Sequence, residues 1–116
     1  MTLKEIAKIL EADIMADSDD LDVHINNACS ADMMSAVLYY HTPDSLLITG
    51  LIQPHVIRTA EIAGIKSIVF VLDKKPSAEI IELAKQKKIS ILCTRFCMYT
   101  ASGKLYEAGL PGCLNK

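Results

Sequence analysis

Three turns from residue 49 onward gather side chains able to hold an anion. Thr49-Gly50, Asp73-Lys74-Lys75 and Cys93-Thr94-Arg95 each follow a short apolar run. His55 and Thr100 lie at the openings of the segments after the first and third. Lysine, arginine, hydroxyls and the free N–H groups of helix starts suit a phosphate, a nucleotide or a carboxylate. The candidate ligand-binding set is therefore Thr49, Gly50, His55, Lys74, Thr94, Arg95 and Thr100. Singly, each is an ordinary turn residue; on one rim they become a ligand site, because loops at strand ends are where such sites collect.

Catalytic patterns are missing. The sequence has no GxxxxGK[ST], no GxGxxG and no GxSxG, so phosphate-cradling loops and a nucleophile elbow are not encoded. Cys29, Cys93, Cys97 and Cys113 make no CxxC, and Cys93-x-x-x-Cys97 has no second pair. His24, His41 and His55 form no HExxH, so no metal or other cofactor is called for. Cys97 at a helix start could be paired with His55 only by assumption, with no third group to orient them. The reading is a protein without catalytic residues. The alternatives are a redox- or metal-linked protein using Cys93 and Cys97, and a transcription-regulator accessory domain.

The elements that must position these turns are legible from periodicity. Leu46 to Thr49, Ser67 to Leu72 and Ile89 to Leu92 read as strands,. Each precedes a helical pattern. Val56, Ile57, Ala60 and Ala63 share a face after Pro54 and before Gly64,. Ile80, Leu83, Ala84 and Lys87 follow a Pro76-Ser77 start with Glu79 near its positive end,. Met98, Ala101 and Leu105 make a weaker stripe before Gly109. A strand pitch close to 22 residues implies right-handed crossovers. The fold class is α/β, a single domain with a mostly parallel central sheet of about 4–6 strands flanked by helices. Parallel strands send their carboxyl ends to one edge, which is why the three turns are expected together.

The first half is less regular. Thr2-x-x-Glu5 is a capping box, and Leu3, Ile6, Ala7 and Leu10 line one side of the helix it opens,. Asp17 to Asp20 reads as a loop, and Val23 and Ile25 as a half-exposed strand. Ser30 or Asp32 is placed to cap a helix carrying Met33, Met34, Val37 and Leu38. Residues 1–116 are read as one domain, with 111–116 a loose end.

Composition agrees with a globular chain: 116 residues, 51% hydrophobic and 22% charged, which excludes disorder. No apolar run approaches the roughly 18 residues of a membrane span, and Glu5 and Lys8 interrupt the place of a secretory signal. The expectation is a cytoplasmic protein with reduced thiols and no membrane contact. Residues 1–58 carry 9 acidic and 3 basic side chains and residues 59–116 carry 5 and 9, a polarity suited to docking two copies head to tail or steering an anion. A pI near 5.9 speaks against a dedicated nucleic-acid binder.

From SADMMSAVL, through LLITGLIQPHVIRTAEIAGIKSIVFVLDKKPSAEIIELAKQKKISIL, to Cys93-Thr94-Arg95-Phe96-Cys97-Met98-Tyr99-Thr100, the sequence resembles the DRTGG domain family. The resemblance covers nearly the whole chain. It implies a regulatory α/β module, found alone or attached to CBS-domain pyrophosphatases and phosphotransacetylases. It also implies kinship with the non-catalytic N-terminal domain of HPr kinase/phosphorylase, a tendency to pair as homodimers, and no activity of the module itself. Two departures stand out. Leu51-Ile52 occupies the place of the family's Asp-Arg, and Leu72-Asp73-Lys74 that of its Thr-Gly-Gly. The bulky Leu51-Ile52 pair suggests a surface for a partner protein in place of a ligand contact.

Overall fold

The computed structural model describes residues 1–17, 21–40, 42 and 44–113. Helix α1 (Leu3–Ile9) is opened by Thr2, whose hydroxyl accepts from the Glu5 N–H while the Glu5 carboxylate accepts from the Thr2 N–H. That capping box satisfies two end donors at once and holds the Glu5 carboxyl below its ordinary range. Strands β1 (Asp13–Ala16) and β2 (Asn27–Ser30) follow, then α2 (Met34–Tyr40). The remainder alternates β3 (Ser45–Thr49), α3 (Pro54–Ala63), β4 (Ser67–Phe70), α4 (Ala78–Gln86), β5 (Ser90–Cys93) and α5 (Met98–Glu107).

The five strands form one sheet in the order β1-β5-β4-β3-β2. The β2, β3, β4 and β5 pairs are parallel, and only β1 is antiparallel, against β5. Strands β3, β4 and β5 are buried at every position, as expected where helices cover both faces. One face carries α2, α3 and α4, packing Val37, Val56, Ile57, Ala60, Ile80 and Ala84 onto Leu47, Ile68, Phe70 and Ile91. The other carries α1 and α5, packing Leu3, Ile6, Leu10, Ala101 and Leu105 onto Leu46, Ile48, Val69 and Leu92. This is the α/β class and the largely parallel sheet read from the strand pitch.

Local signals in the second half act as expected. Pro54 sits at the start of α3, and Gly64 ends it at φ 74°, a left-handed value that glycine takes without strain. The Ser77 hydroxyl accepts from the Ile80 N–H to cap α4. The differences lie at the edges. Val23 and Ile25 form no strand; His24 alone bridges to Thr2, and pairing begins only at Asn27. The second central strand stops at Phe70, because Leu72 and Asp73 turn to φ 65° and 55°. Leu51 and Ile52 are half-buried against the core, which leaves little of the pair for the contact surface expected of them. Residues 111–113 are not loose: Gly112 bridges to Ala28, and the Ala28 N–H donates to the Pro111 carbonyl at 3.0 Å. Residues 114–116, Ser18 to Asp20 and His41 lie outside the described residues. No described helix is long and apolar enough to cross a membrane.

Candidate functional site

Register puts the three turns on one edge. Thr49 pairs with Phe70 and Phe70 with Cys93, so the chain leaves β3, β4 and β5 side by side. Two hydrogen bonds then tie the turns together. The Lys74 ammonium donates to the Gly50 carbonyl at 2.9 Å, and the Asp73 N–H donates to the Thr94 carbonyl at 2.9 Å.

At the β3 end, Asp32 supplies a group the sequence reading had placed elsewhere. One oxygen of its carboxylate accepts from the Thr49 hydroxyl at 2.9 Å and from the Gly50 N–H at 2.8 Å. The Thr49 hydroxyl in turn accepts from the Leu51 N–H at 3.1 Å. The expected role of Asp32 as a helix cap is thus replaced by a contact across 18 residues. Nothing in the local sequence announces that partner. A methyl on Gly50 would come to 3.7 Å from the Asp32 oxygen and 3.5 Å from Val71, ordinary contact distances that leave room for a small side chain.

At the β4 end, Leu72 and Asp73 make a tight turn with both φ values positive, which costs a leucine about 1–2 kcal/mol. Its N–H groups are fully used, Leu72 on the Phe96 carbonyl and Asp73 on the Thr94 carbonyl. Lys74 reaches back over Gly50, whereas Lys75 leaves the rim to pair with Asp13 at 2.9 Å.

At the β5 end, the predicted residues divide. Thr94 is buried and turns its hydroxyl inward to the Leu10 carbonyl at 2.7 Å, fastening the end of α1. Arg95 is exposed and pairs with Glu11 at 3.0 Å, with its guanidinium carbon 5.1 Å from the Phe96 ring centre and Lys104 close by at 4.9 Å. Two basic residues of the second half therefore meet acids of the first within one chain, which uses up part of the charge polarity. His55 is exposed in the first turn of α3. Thr100 lies in α5, where its hydroxyl meets the Cys97 thiol at 3.4 Å. The cluster at the rim is thus Thr49, Gly50 and Lys74 around Asp32, next to the start of α3. Gln53 opens that helix without a side-chain cap; Pro54 brings no N–H and the Val56 N–H turns back to the Gln53 carbonyl at 3.0 Å, so the His55 N–H is the donor left at the opening.

The thiols differ sharply. Cys97, exposed at the start of α5, has its pKa lowered by hydrogen bonding to Thr100 and neighbouring N–H groups. Burial pushes the Cys93 thiol up to about 11, and the Cys29 thiol up to about 12, with Cys113 adding to the second. Among the described residues, no group of His, Cys, Asp or Glu could hold a metal. No general base stands beside a nucleophile in the rim cluster; what it offers is a cation, a carboxylate, a hydroxyl and the opening of α3.

A doubly covered, largely parallel sheet with a polar carboxyl-end rim defines an α/β domain of the layered, open-sheet kind. The particular family follows from comparison: the DRTGG domain model matches residues 5–108, and the chain belongs to that family. It is also similar to a crystal structure of the CBS and DRTGG domains of the regulatory region of a Clostridium perfringens pyrophosphatase, complexed with its activator diadenosine tetraphosphate. The TM-score is 0.79 at 22% identity, over 95% of this chain and 47% of that one, so this chain spans about half of it. That likeness is one of fold. Among curated proteins, none matches the chain.

Proposed function

We propose that the protein is a non-enzymatic regulatory module, working as a homodimer, that takes a small anionic ligand at the carboxyl-end rim of its sheet. A nucleotide or phosphorylated metabolite is the class that fits. The observation carrying this reading is the Lys74 ammonium held over the Gly50 carbonyl beside the uncapped start of α3. A cation and the positive end of α3, with the His55 N–H as its opening donor, attract phosphate oxygens. The Asp32 carboxylate beside them would repel a bare phosphate but accept from a hydroxyl, which favours a ligand carrying both groups. In the clostridial relative, the DRTGG domain lies within a regulatory region crystallised with a polyanionic dinucleotide; that context is in keeping with a sensing role. Exposed Tyr99 and Tyr106, seven residues apart on α5, support pairing of two copies, since large exposed aromatics favour interfaces.

Nucleotides and phosphorylated metabolites should be screened by thermal shift. A ligand at a hundred times its Kd adds about 2.7 kcal/mol. Lys74→Ala should abolish the shift, whereas Arg95→Ala, whose guanidinium is engaged by Glu11, should leave most of it. A panel with no shift, or an undiminished shift in Lys74→Ala, overturns the rim as the site. Light scattering through a dilution series tests the dimer, and a monomer at every concentration rejects it.

A further inference from the structure

We propose that Cys29 and Cys113 are a redox-reversible pair whose disulfide fastens the segment after α5 to strand β2. Strand β2 is an edge of the sheet, with β3 on its inner side. On its outer side the chain after α5 returns, with Leu110 buried and the Ala28 N–H bonded to the Pro111 carbonyl at 3.0 Å. Ala28 and Gly112 bridge in the parallel sense, so the next residue on each side, Cys29 and Cys113, stands in register. Residues in register point to the same face, and adjacent strands lie about 4.8 Å apart. That separation falls inside the Cα range of about 4.4–6.8 Å that a disulfide requires. Cys113 helps to hold the Cys29 thiol protonated, in keeping with two neighbouring side chains, and both thiols are free.

Reactivity divides the pair into an initiator and a resolver. Cys113 is half-exposed, whereas Cys29 is buried and its thiol is held protonated. With a low-molecular-weight disulfide as oxidant, the Cys113 thiolate attacks one sulfur, forms a mixed disulfide and expels one small thiolate. Cys29 then gives up its proton and attacks the Cys113 sulfur, and the second small thiolate leaves. Two electrons pass from the protein pair to the small disulfide, and two small thiols are released. The product closes a loop of 85 residues, read from Cys29 to Cys113, and covers the β2 edge covalently.

The test uses the full chain, reduced and then incubated with oxidised glutathione, with intact mass and non-reducing peptide mapping as readouts. The expected main product joins the Cys29 and Cys113 peptides within one chain and weighs about 2 Da less than the reduced protein. Cys97→Ser, which removes the exposed low-pKa thiol, should form it equally well. In Cys29→Ala the glutathione should remain on Cys113 as a stable adduct, because the resolving thiol is gone. Cys113 carrying glutathione while Cys29 stays free in the parent protein overturns the pairing. So does a main product linking Cys113 residues of two chains.

Discussion

Removing the Asp32 carboxylate should weaken the fold and, toward a phosphate group without a hydroxyl, strengthen the proposed ligand site. One oxygen of Asp32 holds both the Thr49 hydroxyl and the Gly50 N–H, and both donors belong to buried residues. Hydrogen bonds to a charged acceptor contribute roughly 1.5–3 kcal/mol, and a stranded buried donor costs about 1–3 kcal/mol. Asp32 is itself exposed, so water recovers part of that loss, and about 2 kcal/mol is expected for Asp32→Ala. For 116 residues the unfolding entropy is about 0.24 kcal/mol/K, so each kcal/mol moves Tm by about 4 °C. Asp32→Ala should therefore melt about 8 °C lower. Asp32→Asn, which keeps an accepting oxygen but no charge, should lose about half as much. With a phosphorylated ligand that carries no hydroxyl for Asp32 to accept from, Asp32→Asn should bind more tightly than the parent, because a like charge has left the rim. Calorimetry and ligand titration on the three proteins measure both effects. An Asp32→Ala protein within about 0.5 kcal/mol of the parent, the ordinary scatter of surface changes, would refute the structural role assigned to this carboxylate.

Leu72→Gly should raise stability by about 0.5 kcal/mol in urea melts, since the relief of a positive φ outweighs the added freedom of the unfolded chain; a clear loss would contradict the strained turn. The reduced protein should weaken in alkali. Its unfolded chain gives up the Cys29 and Cys93 protons near the ordinary value of 9.0, while the folded state holds them to about 12 and 11. The unfolded state thus binds fewer protons above pH 9, and stability falls as pH rises through that window. Urea midpoints at pH 8 and 10.5 should show a smaller drop in Cys93→Ala than in the parent. Iodoacetamide at neutral pH should label Cys97 first and leave Cys93 almost untouched, because exposure and a lowered pKa favour the thiolate; mass mapping of a time course reads the order.

The central strands were legible because burial on both faces writes an uninterrupted apolar run, and because the local chemistry of Pro54, Gly64 and Ser77 agrees with the helices they bound,. Strand β1, Asp13–Ala16, was not. It is an edge strand whose first two residues are exposed, and its partner, β5, is remote in sequence, so neither alternation nor a turn signal marks it. The site divides along the same line. Register alone brings Thr49, Gly50 and Lys74 together, and the strand pitch foretells register. The direction of a side chain depends on what lies across the fold. Thr94 faces Leu10, Arg95 faces Glu11 and Asp32 faces Gly50, and each of those partners lies outside any local window.

The turn at Leu72 and Asp73 has a mechanical consequence. Its two N–H groups grip the carbonyls of Phe96 and Thr94, while the lysine that follows grips Gly50. Hydrogen bonds of this length yield little before breaking. A molecule that draws Lys74 off Gly50 therefore pulls on the stretch from Thr94 to Phe96, directly ahead of α5. Were the proposed ligand to do so, occupancy at one end of the sheet would become a tug on the helix displaying Tyr99 and Tyr106.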